Sequence, residues 1–388
     1  MNRKQRRAHR QARAKANQPE GLSDPVGLHE AGIQAWRAGD PDKAAALIAR
    51  AIASNPGIAS FHYNLGIVQK ARGQLEEAAT SYERATLLKP EHVDAHNNLG
   101  NVLKALGRRE EARASFERAL QHNPSNADTH YNLGILACDL GLPGEAVAHF
   151  RRCLANDPAD ARGVKILLAH LAADAAPRRT SQAQVQSIYD VRARFWDQER
   201  SYFGARLVGD ALHRHAGTAA LDILDIGCGT GLAGIAVRDL AKRLDGVDLS
   251  PAMLEKAQAK GIYDGLYQGD LVPFLTQAQA NYDAVVGAAA LIHFGDLAPL
   301  FRAVSASLGD RGLFVFTLFP QETPDVSYGV VSDYRLAQSG CFGHSPAYVE
   351  RLAAETGFAV LELEMVTHEH DPEGNPVAGL LAVLRVNR

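Results

Sequence analysis

The first half of the chain repeats itself every 34 residues, and this period constrains the fold more than any other feature of the sequence. Small residues let two helices approach closely, a large residue fills the space between them, and a proline ends the second helix. The period therefore predicts four helical hairpins stacked into an α-solenoid. The repeated positions are Gly32, Gly66, Gly100 and Gly134; Ala44, Ala78, Ala112 and Ala146; Ile48, Tyr82, Phe116 and Phe150; Ala51, Ala85, Ala119 and Cys153; and Pro56, Pro90, Pro124 and Pro158.

A 34-residue helix pair with these marks resembles the tetratricopeptide repeat (TPR), and four copies cover residues 25–158. The next segment begins like a fifth copy but has Leu168 where the glycine belongs. Because a terminal repeat needs its apolar face covered, we interpret residues 159–181 as a capping helix and a linker.

Two ladders of polar residues run through the repeats, one of asparagines and one of histidines. The TPR resemblance implies that the asparagines face a groove, so we predict an unpaired amide ladder that binds an extended peptide; the alternative is that these residues serve folding alone. We interpret the histidines as helix packing, since repeats lie about 10 Å apart and zinc ligands lie about 2 Å from one ion. No metal site is expected, and we interpret His368 and His370 as surface residues. The ladders are Asn64, Asn98 and Asn132, and His62, His96 and His130.

From residue 182 the pattern changes to short apolar runs that alternate with helical stretches such as LAGIAVRDLAKRL and PAMLEKAQAK. Alternation at this spacing predicts parallel strands joined by crossover helices. Two later runs, around AVLELEMV and GLLAVLRV, flank the turn-rich DPEGNP and are expected to pair antiparallel at the edge. The expected fold is therefore a TPR α-solenoid followed by a Rossmann-like α/β sheet with an antiparallel edge over residues 182–388.

A glycine-rich loop follows the first predicted strand, and its sequence LDILDIGCGTGLAG fits two cofactors. From Gly229 it reads G-T-G-L-A-G, a literal match to the dinucleotide fingerprint. Asp225 precedes the loop, however, and a carboxylate repels a pyrophosphate but attracts an ammonium or sulfonium group. Gly227, Gly229 and Gly231 let the backbone bend around an amino-acid-sized group. Asp248 suits ribose hydroxyls in either case, so S-adenosylmethionine fits better than NAD.

Four motifs, LDIGCGTG, GVDLSPAML, YQGDL and YDAVVGAAALIHF, resemble those of class I S-adenosylmethionine-dependent methyltransferases, across about residues 185–388. The whole chain resembles bacterial TPR methyltransferases. The resemblance implies that Asp225 and the three loop glycines cradle the methionine moiety and that Asp248 holds the ribose. It assigns the remaining contacts to Leu249, Met253, Gly269, Asp270 and Leu271 around the adenine, with Asp270 accepting from the exocyclic amine, to Ala288 at the ammonium group, and to Tyr189 in a lid helix.

Methyl transfer requires alignment of donor and acceptor, and removal of a proton when the acceptor is a hydroxyl or a protonated amine. His293 in LIHF is the candidate base, because related small-molecule methyltransferases often carry a histidine there. His344 and Tyr348 are secondary candidates near the expected substrate entrance. One acid common in the family is missing at Ala289, which leaves the acceptor class open. The absence of N-P-P-Y argues against methylation of adenine amines and glutamine amides.

Composition limits the partners and the compartment. The formal net charge of −3 includes a basic stretch, MNRKQRRAHRQARAK, within an expected disordered or helical tail over residues 1–24. Such a tail is typically solvated; binding to nucleic acid or an anionic surface is the alternative, but no second basic stripe with interleaved aromatics follows. Apolar runs fall short of the ~20 residues that span a membrane, and the scattered cysteines indicate a reducing compartment, so we expect a cytoplasmic protein without a membrane partner.

The leading hypothesis is an active S-adenosylmethionine-dependent methyltransferase whose TPR domain recruits a protein partner or substrate. One alternative is a methyltransferase that acts on a small metabolite, with the repeats used for assembly. Another is a non-catalytic TPR scaffold that retains a relic cofactor domain. An NAD-dependent oxidoreductase is a more distant possibility.

Overall fold

The computed structural model describes residues 24–198, 201–217, 220–277, 282–321 and 333–388. The predicted basic tail, apart from its last residue, lies outside the described residues. Contacts divide the chain between Asn156 and Asp157 into two compact units.

The first unit consists of paired antiparallel helices, as the 34-residue period predicts. The helices of even number end two residues before the repeated prolines, which confirms the position expected of a helix stop. The bounds are α1 (Pro25–Arg37), α2 (Pro41–Ser54), α3 (Ala59–Ala71), α4 (Leu75–Leu88), α5 (Val93–Ala105), α6 (Arg109–His122), α7 (Ala127–Asp139) and α8 (Pro143–Asn156).

Close helix packing explains the repeated glycine. A Cβ added at Gly100 would lie 2.5 Å from the ring of Phe116, and one at Gly66 would lie 2.7 Å from Tyr82. The alanines at the second repeated position, four residues before the large ones, are completely buried. The repeated residues therefore form the interface between the two helices of each hairpin. A further glycine with the same period, which the sequence interpretation missed, makes the turn inside each hairpin with φ between +69° and +80°: Gly39, Gly73, Gly107 and Gly141.

The second unit alternates strands and helices. Its helices are α9 (Val164–His170), α10 (Gln182–Arg192), α11 (Gly204–Ala216), α12 (Leu232–Val237), α13 (Pro251–Lys260), α14 (Leu271–Gln277), α15 (Ala298–Ser307) and α16 (Pro346–Glu355), with 3-10 turns at Trp196–Gln198 and Leu291–His293. Its strands are β1 (Leu221–Ile226), β2 (Ala241–Asp248), β3 (Gly265–Gln268), β4 (Tyr282–Gly287), β5 (Leu308–Pro320), β6 (Tyr334–Leu336), β7 (Phe342–His344), β8 (Phe358–His370) and β9 (Pro376–Val386).

The sheet confirms the predicted architecture. Strands β3, β2, β1, β4 and β5 lie side by side and run parallel, whereas β9 pairs antiparallel with both β5 and β8. Helix α11 packs Val208 and Leu212 into one apolar cluster, and α15 and α16 pack Phe301 and Leu352 into another. Helices thus cover both faces of the sheet, which places the carboxyl ends of the parallel strands at one edge, where such folds bind ligands.

Two local expectations differ from the structure. The stretch LAGIAVRDLAKRL is helical only as far as Val237, and from Ala241 it is strand, because Ala241 already pairs with Leu221 of β1. The short strands β6 and β7 were not predicted at all. The segment interpreted as a cap forms the short helix α9, in which Leu168 is buried, and His170 bonds the carbonyl of Ala337 in the same unit.

Candidate active site

A cleft of about 850 Å³, partly open to solvent, lies at the carboxyl ends of β1, β2 and β4. Loops after these strands, the segment before α10 and α10 itself supply its walls. Its lining brings together ten of the residues predicted from sequence: Tyr189, Gly227, Gly229, Asp248, Leu249, Met253, Asp270, Leu271, Ala288 and His293.

The glycine loop between β1 and α12 requires glycine at three alternate positions. Gly227, Gly229 and Gly231 have φ values of +65°, +54° and +95°, a left-handed conformation that costs other residues about 1–2 kcal/mol. A Cβ at Gly227 would collide with Ala290, 2.5 Å away, whereas a Cβ at Gly229 would meet nothing within 4 Å. The loop therefore leaves open space beside Gly229 on the cleft wall. Gly231 caps α12 and lies outside the cleft lining.

Asp248, at the end of β2, fixes this loop from the neighbouring strand. Its Oδ2 accepts a hydrogen bond from the backbone N–H of Gly229 at 2.9 Å, and its Oδ1 accepts from the N–H of Ser250 at 2.8 Å. Burial raises the pKa of this carboxyl. A loop N–H that a pyrophosphate would need is thus already bonded to a carboxylate, which argues against a dinucleotide.

The position of Asp225 requires a correction. The sequence argument placed its charge against the cofactor, but the side chain is fully buried and lies outside the cleft lining. Its Oδ2 accepts from the Tyr263 hydroxyl at 2.7 Å, and burial raises its pKa to about 7. Asp225 therefore helps to anchor the inside of the fold, and Asp248 carries the charge argument against a pyrophosphate.

The remaining predicted cofactor residues line the cleft, except for Gly269. Asp270 follows β3 and is engaged by Arg179, by Gln182 and by the backbone N–H of Val272. Met253 is buried and lines the cleft together with Leu249, Leu271 and Ala288. Gly269 lies outside the lining, and its N–H donates to the carbonyl of Asp248.

His293 ends a 3-10 turn after β4 and faces a tyrosine of α10. Its Nε2 lies 2.9 Å from the Tyr189 hydroxyl, and the two rings meet edge to face. Burial lowers the pKa of His293 to about 4, and burial raises the pKa of Tyr189. The pair therefore consists of a neutral imidazole and a protonated phenol at neutral pH, on the wall of the cleft.

The two secondary candidates lie elsewhere. His344 is completely buried, its Nε2 donates to the carbonyl of Gly295, and burial lowers its pKa to about 4. The Tyr348 hydroxyl accepts from the backbone N–H of Leu297 at 3.0 Å. The rings of His344 and Tyr348 stack on each other. Neither residue belongs to the cleft lining, and each holds the backbone that follows His293.

The structure reveals a second histidine near the cleft that sequence reasoning misplaced. His368 was interpreted as a surface residue, but it is 1% exposed, because β8 pairs with β9 and the ring packs against Tyr202 and Phe319. Its Nε2 lies 3.1 Å from the Thr317 hydroxyl, which accepts from the N–H of Ala289. Ala289 lines the cleft in a left-handed conformation, so this chain of contacts holds a strained turn in place.

Sequence reasoning also missed the contacts that hold α10 and the turn after it over the cleft. Asp197 accepts from Lys260 at 2.8 Å and from the Thr230 hydroxyl at 2.5 Å. Asp190 accepts from the Ser250 hydroxyl at 2.5 Å. No sequence pattern marks these pairs, because each joins residues at least 33 positions apart.

In the repeat unit, the asparagine amides are paired. The Nδ2 atom of Asn98 donates to the Tyr63 hydroxyl at 3.2 Å, and that of Asn132 donates to Asn97 Oδ1 at 2.9 Å. Asn64 Nδ2 lies 2.9 Å from an imidazole nitrogen one repeat earlier. The expectation of an unpaired amide ladder is therefore wrong, because each amide bonds the preceding repeat. Peptide binding by these residues stays a prediction.

The histidine ladder lies where helix packing was expected. The Nε2 atoms of His62, His96 and His130 lie 2.8–3.0 Å from the carbonyl oxygens of the prolines six residues before them. Across the described ranges, no cluster of His, Cys, Asp and Glu has the arrangement of a metal site. Within the same ranges, every helix is too short or too polar to span a bilayer.

Comparison with known protein families assigns both units. Residues 188–363 match the model of a methyltransferase domain. Residues 29–86 and 97–161 match a tetratricopeptide repeat model, and residues 69–107 match a second TPR model. The family models thus cover most of the helical hairpins and the sheet from β1 into β8, whereas β9 lies beyond the match.

Curated relatives are similar to part of the chain. The ubiquinone biosynthesis O-methyltransferase of Methylobacterium nodulans is 24% identical over 43% of this chain and 68% of its own length. The enzyme of the same name from Nitrosococcus oceani is 26% identical over 46% of this chain and 80% of its own length. This chain spans a smaller share, 47%, of the length of the enzyme of that name from a Methylobacterium sp.. A solved structure described as a DhpI–SAH complex is 22% identical, with a TM-score of 0.40, over 53% of this chain and 96% of its own.

The matched domain, the Rossmann-like sheet and the glycine loop that Asp248 fixes agree with one another. Residues 188–363 therefore match a methyltransferase domain, which agrees with S-adenosylmethionine as the cofactor, and residues within 29–161 match tetratricopeptide repeats.

Proposed function

We propose that this protein transfers a methyl group from S-adenosylmethionine to a hydroxyl oxygen of a small molecule. The observation that carries the proposal is the pair formed by His293 and Tyr189, which lies on the wall of the same cleft as the glycine loop and Asp248. The names of the curated relatives, ubiquinone biosynthesis O-methyltransferases, support an oxygen acceptor.

The residues at the cleft fit this cofactor. Gly229 leaves open space where a side chain would otherwise project, and Asp248 presents a carboxylate held by two backbone N–H groups. We assign the methionine end to the glycine loop, the ribose to Asp248, and the adenine to Leu249, Met253 and Asp270. S-adenosylmethionine supplies, when bound, an electrophilic methyl group on a sulfonium with a good leaving group.

The chain's own residues then orient the acceptor and take its proton. A hydroxyl oxygen that gains a methyl group must lose its hydrogen, and we assign that proton to the Nε2 atom of His293. Because burial lowers the pKa of His293 to about 4, the imidazole is neutral and available at physiological pH. The Tyr189 hydroxyl occupies this Nε2 atom at 2.9 Å, so the acceptor hydroxyl has to replace it there when it binds. The edge-to-face contact with the Tyr189 ring keeps the imidazole oriented, and α10 with Trp196 forms part of the cleft wall.

The repeats are proposed to recruit a protein partner. Tandem TPR hairpins form extended binding surfaces, which supports this assignment. A methylated protein substrate is the alternative acceptor, and a relic domain is the non-enzymatic alternative. The three left-handed glycines together with Asp248 favour a working cofactor site, since a relic domain has no need to keep glycine at each of these positions.

The proposal is tested by calorimetry followed by a transfer assay on the full chain. We expect S-adenosylhomocysteine to bind at micromolar concentration and NAD not to bind. A panel of small phenols and alcohols is then incubated with methyl-labelled cofactor, alongside bacterial protein extract. Label in the small-molecule fraction supports the proposal, and label only in protein selects the alternative acceptor. No cofactor binding at millimolar concentration would refute the enzyme.

Transfer to the identified acceptor is then measured in two variants. His293→Gln removes the proton acceptor, so we expect a rate loss of about 10²–10⁴-fold with unchanged cofactor affinity. Tyr189→Phe keeps the ring but removes the hydroxyl, and a smaller loss is expected. His170→Gln, which alters an imidazole outside the cleft lining, is the matched control. An unchanged rate in His293→Gln would exclude His293 as the base.

A further inference from the structure

The segment immediately before α10 is fixed along the rim of the cleft by backbone hydrogen bonds. The carbonyl of Arg178 accepts from the N–H of Gly295 at 2.8 Å, and the N–H of Thr180 donates to the carbonyl of His293 at 2.8 Å. Arg179, between them, forms an antiparallel bridge with Phe294. This backbone frame places Arg179 on the cleft wall, beside Thr180.

Two side chains of this region converge on a single carboxylate. The Arg179 guanidinium pairs with Asp270 Oδ2 and lies 4.8 Å above the centre of the Phe294 ring. Gln182 Nε2 donates to the same oxygen at 2.5 Å, while Asp270 Oδ1 accepts from the N–H of Val272 at 3.1 Å. Since Asp270 is only 9% exposed, these donors take the place of the water that its oxygens would otherwise bind.

We propose that Arg179 is a positioning residue for adenine recognition, acting through Asp270. The inference rests on the proposed function, in which Asp270 accepts a hydrogen bond from the exocyclic amine of the adenine. An ionised carboxylate only accepts hydrogen bonds, so it favours the amine of adenine and repels the carbonyl oxygen that hypoxanthine carries at the same position. Arg179 holds that carboxylate in one orientation, and stacking on Phe294 holds Arg179 itself.

The choice of arginine matters physically. A guanidinium is planar and keeps its charge at every physiological pH, so it can stack on a ring and pair with a carboxylate at once. Lysine preserves the charge without the planar fork, and glutamine preserves a donor without the charge. These two replacements separate the contribution of charge from that of geometry.

The test compares two ligands by calorimetry on the full chain: S-adenosylhomocysteine and S-inosylhomocysteine, in which a carbonyl oxygen replaces the exocyclic amine and N1 gains a hydrogen. In the unmodified protein we expect the adenine form to bind at least tenfold more tightly, as for loss of a buried hydrogen bond. In Arg179→Ala we expect S-adenosylhomocysteine to weaken about tenfold and S-inosylhomocysteine to change little, so the ratio approaches one. Arg179→Lys should retain part of the preference.

Arg178→Ala is the matched control, because its side chain is 84% exposed and its contribution to the segment is made by the backbone carbonyl. Its ligand preference is expected to stay unchanged. If Arg179→Ala does not fold, as judged by its thermal transition, Arg179→Gln is measured in its place with the same expected loss of preference. Equal weakening of both ligands would show that Arg179 only supports the fold and would overturn the inference.

Different binding results would refute the inference and the proposed function. Absence of S-adenosylhomocysteine binding in the unmodified protein removes the proposed function. Tight binding of both ligands without a preference leaves that function intact but removes Asp270, and with it Arg179, from adenine recognition.

Discussion

Glycine has opposite uses in the two units of this protein. In the repeats, a glycine on the first helix of each hairpin makes room for an aromatic or aliphatic residue of the second, so Gly100 faces the ring of Phe116. In the cleft, Gly229 faces open space with nothing within 4 Å. The space beside the first kind of glycine is filled by another side chain of the protein. The space beside the second kind is left for a ligand. The comparison separates residues that build the fold from residues that await a partner.

The largest effect is expected where the space beside glycine is open. Gly229→Ala directs a methyl group into the cleft and imposes about 1–2 kcal/mol of backbone strain at φ +54°. We expect S-adenosylhomocysteine binding to weaken at least about 100-fold by calorimetry, since steric exclusion adds to the strain. Gly261→Ala is the matched control, because it has φ +63° and open surroundings outside the cleft lining. Similar loss of binding in both variants would contradict the comparison.

A smaller effect, on stability, is expected where the space is filled. Gly100→Ala brings a Cβ within 2.5 Å of Phe116 in a packed hairpin, and such overpacking costs about 1–3 kcal/mol. The free energy of unfolding of the repeats, followed by hydrogen exchange in α5 and α6, should fall while cofactor affinity stays unchanged. Gly144→Ala is the control, because Gly144 also lies in a repeat helix and its Cβ would meet nothing. Weaker cofactor binding in Gly100→Ala would contradict the claim that the repeat glycines serve packing alone.

The same contrast explains what the sequence could predict. The hairpins follow from a period that repeats four times, and each repeated residue has a packing partner inside its own hairpin. The glycine loop and Asp248 are local too, since they end neighbouring parallel strands. Asp225 was misplaced because its environment depends on Tyr263, 38 residues away, and the contact of Arg179 with Asp270 spans 91 residues. Burial and long-range pairing of single polar residues leave no periodic trace.

The asparagine ladder tests, with a smaller expected effect, whether a polar residue stabilises the fold rather than awaiting a ligand. Asn98 donates to the Tyr63 hydroxyl of the preceding repeat, and loss of such a bond costs about 1 kcal/mol. Asn98→Ala and Tyr63→Phe remove the same bond, so the double variant should be about 1 kcal/mol less destabilised than the sum of the two single variants. Denaturant unfolding of the full chain measures this coupling. Fully additive effects would mean that the bond does not stabilise the repeats.

The smallest expected effect is a rate that does not change with pH. His293 must be neutral to take a proton, and burial lowers its pKa to about 4, so its neutral form persists as the pH falls from 8 to 6. An imidazole with an ordinary pKa near 6.5 would lose about fourfold of its neutral form over that interval. We therefore expect the single-turnover rate of methyl transfer at saturating cofactor to stay within about twofold between these two pH values and to fall only as the pH approaches 4. A fourfold decline by pH 6 would show that His293 titrates as a solvated histidine, and that the cleft does not keep its base in the buried environment described above.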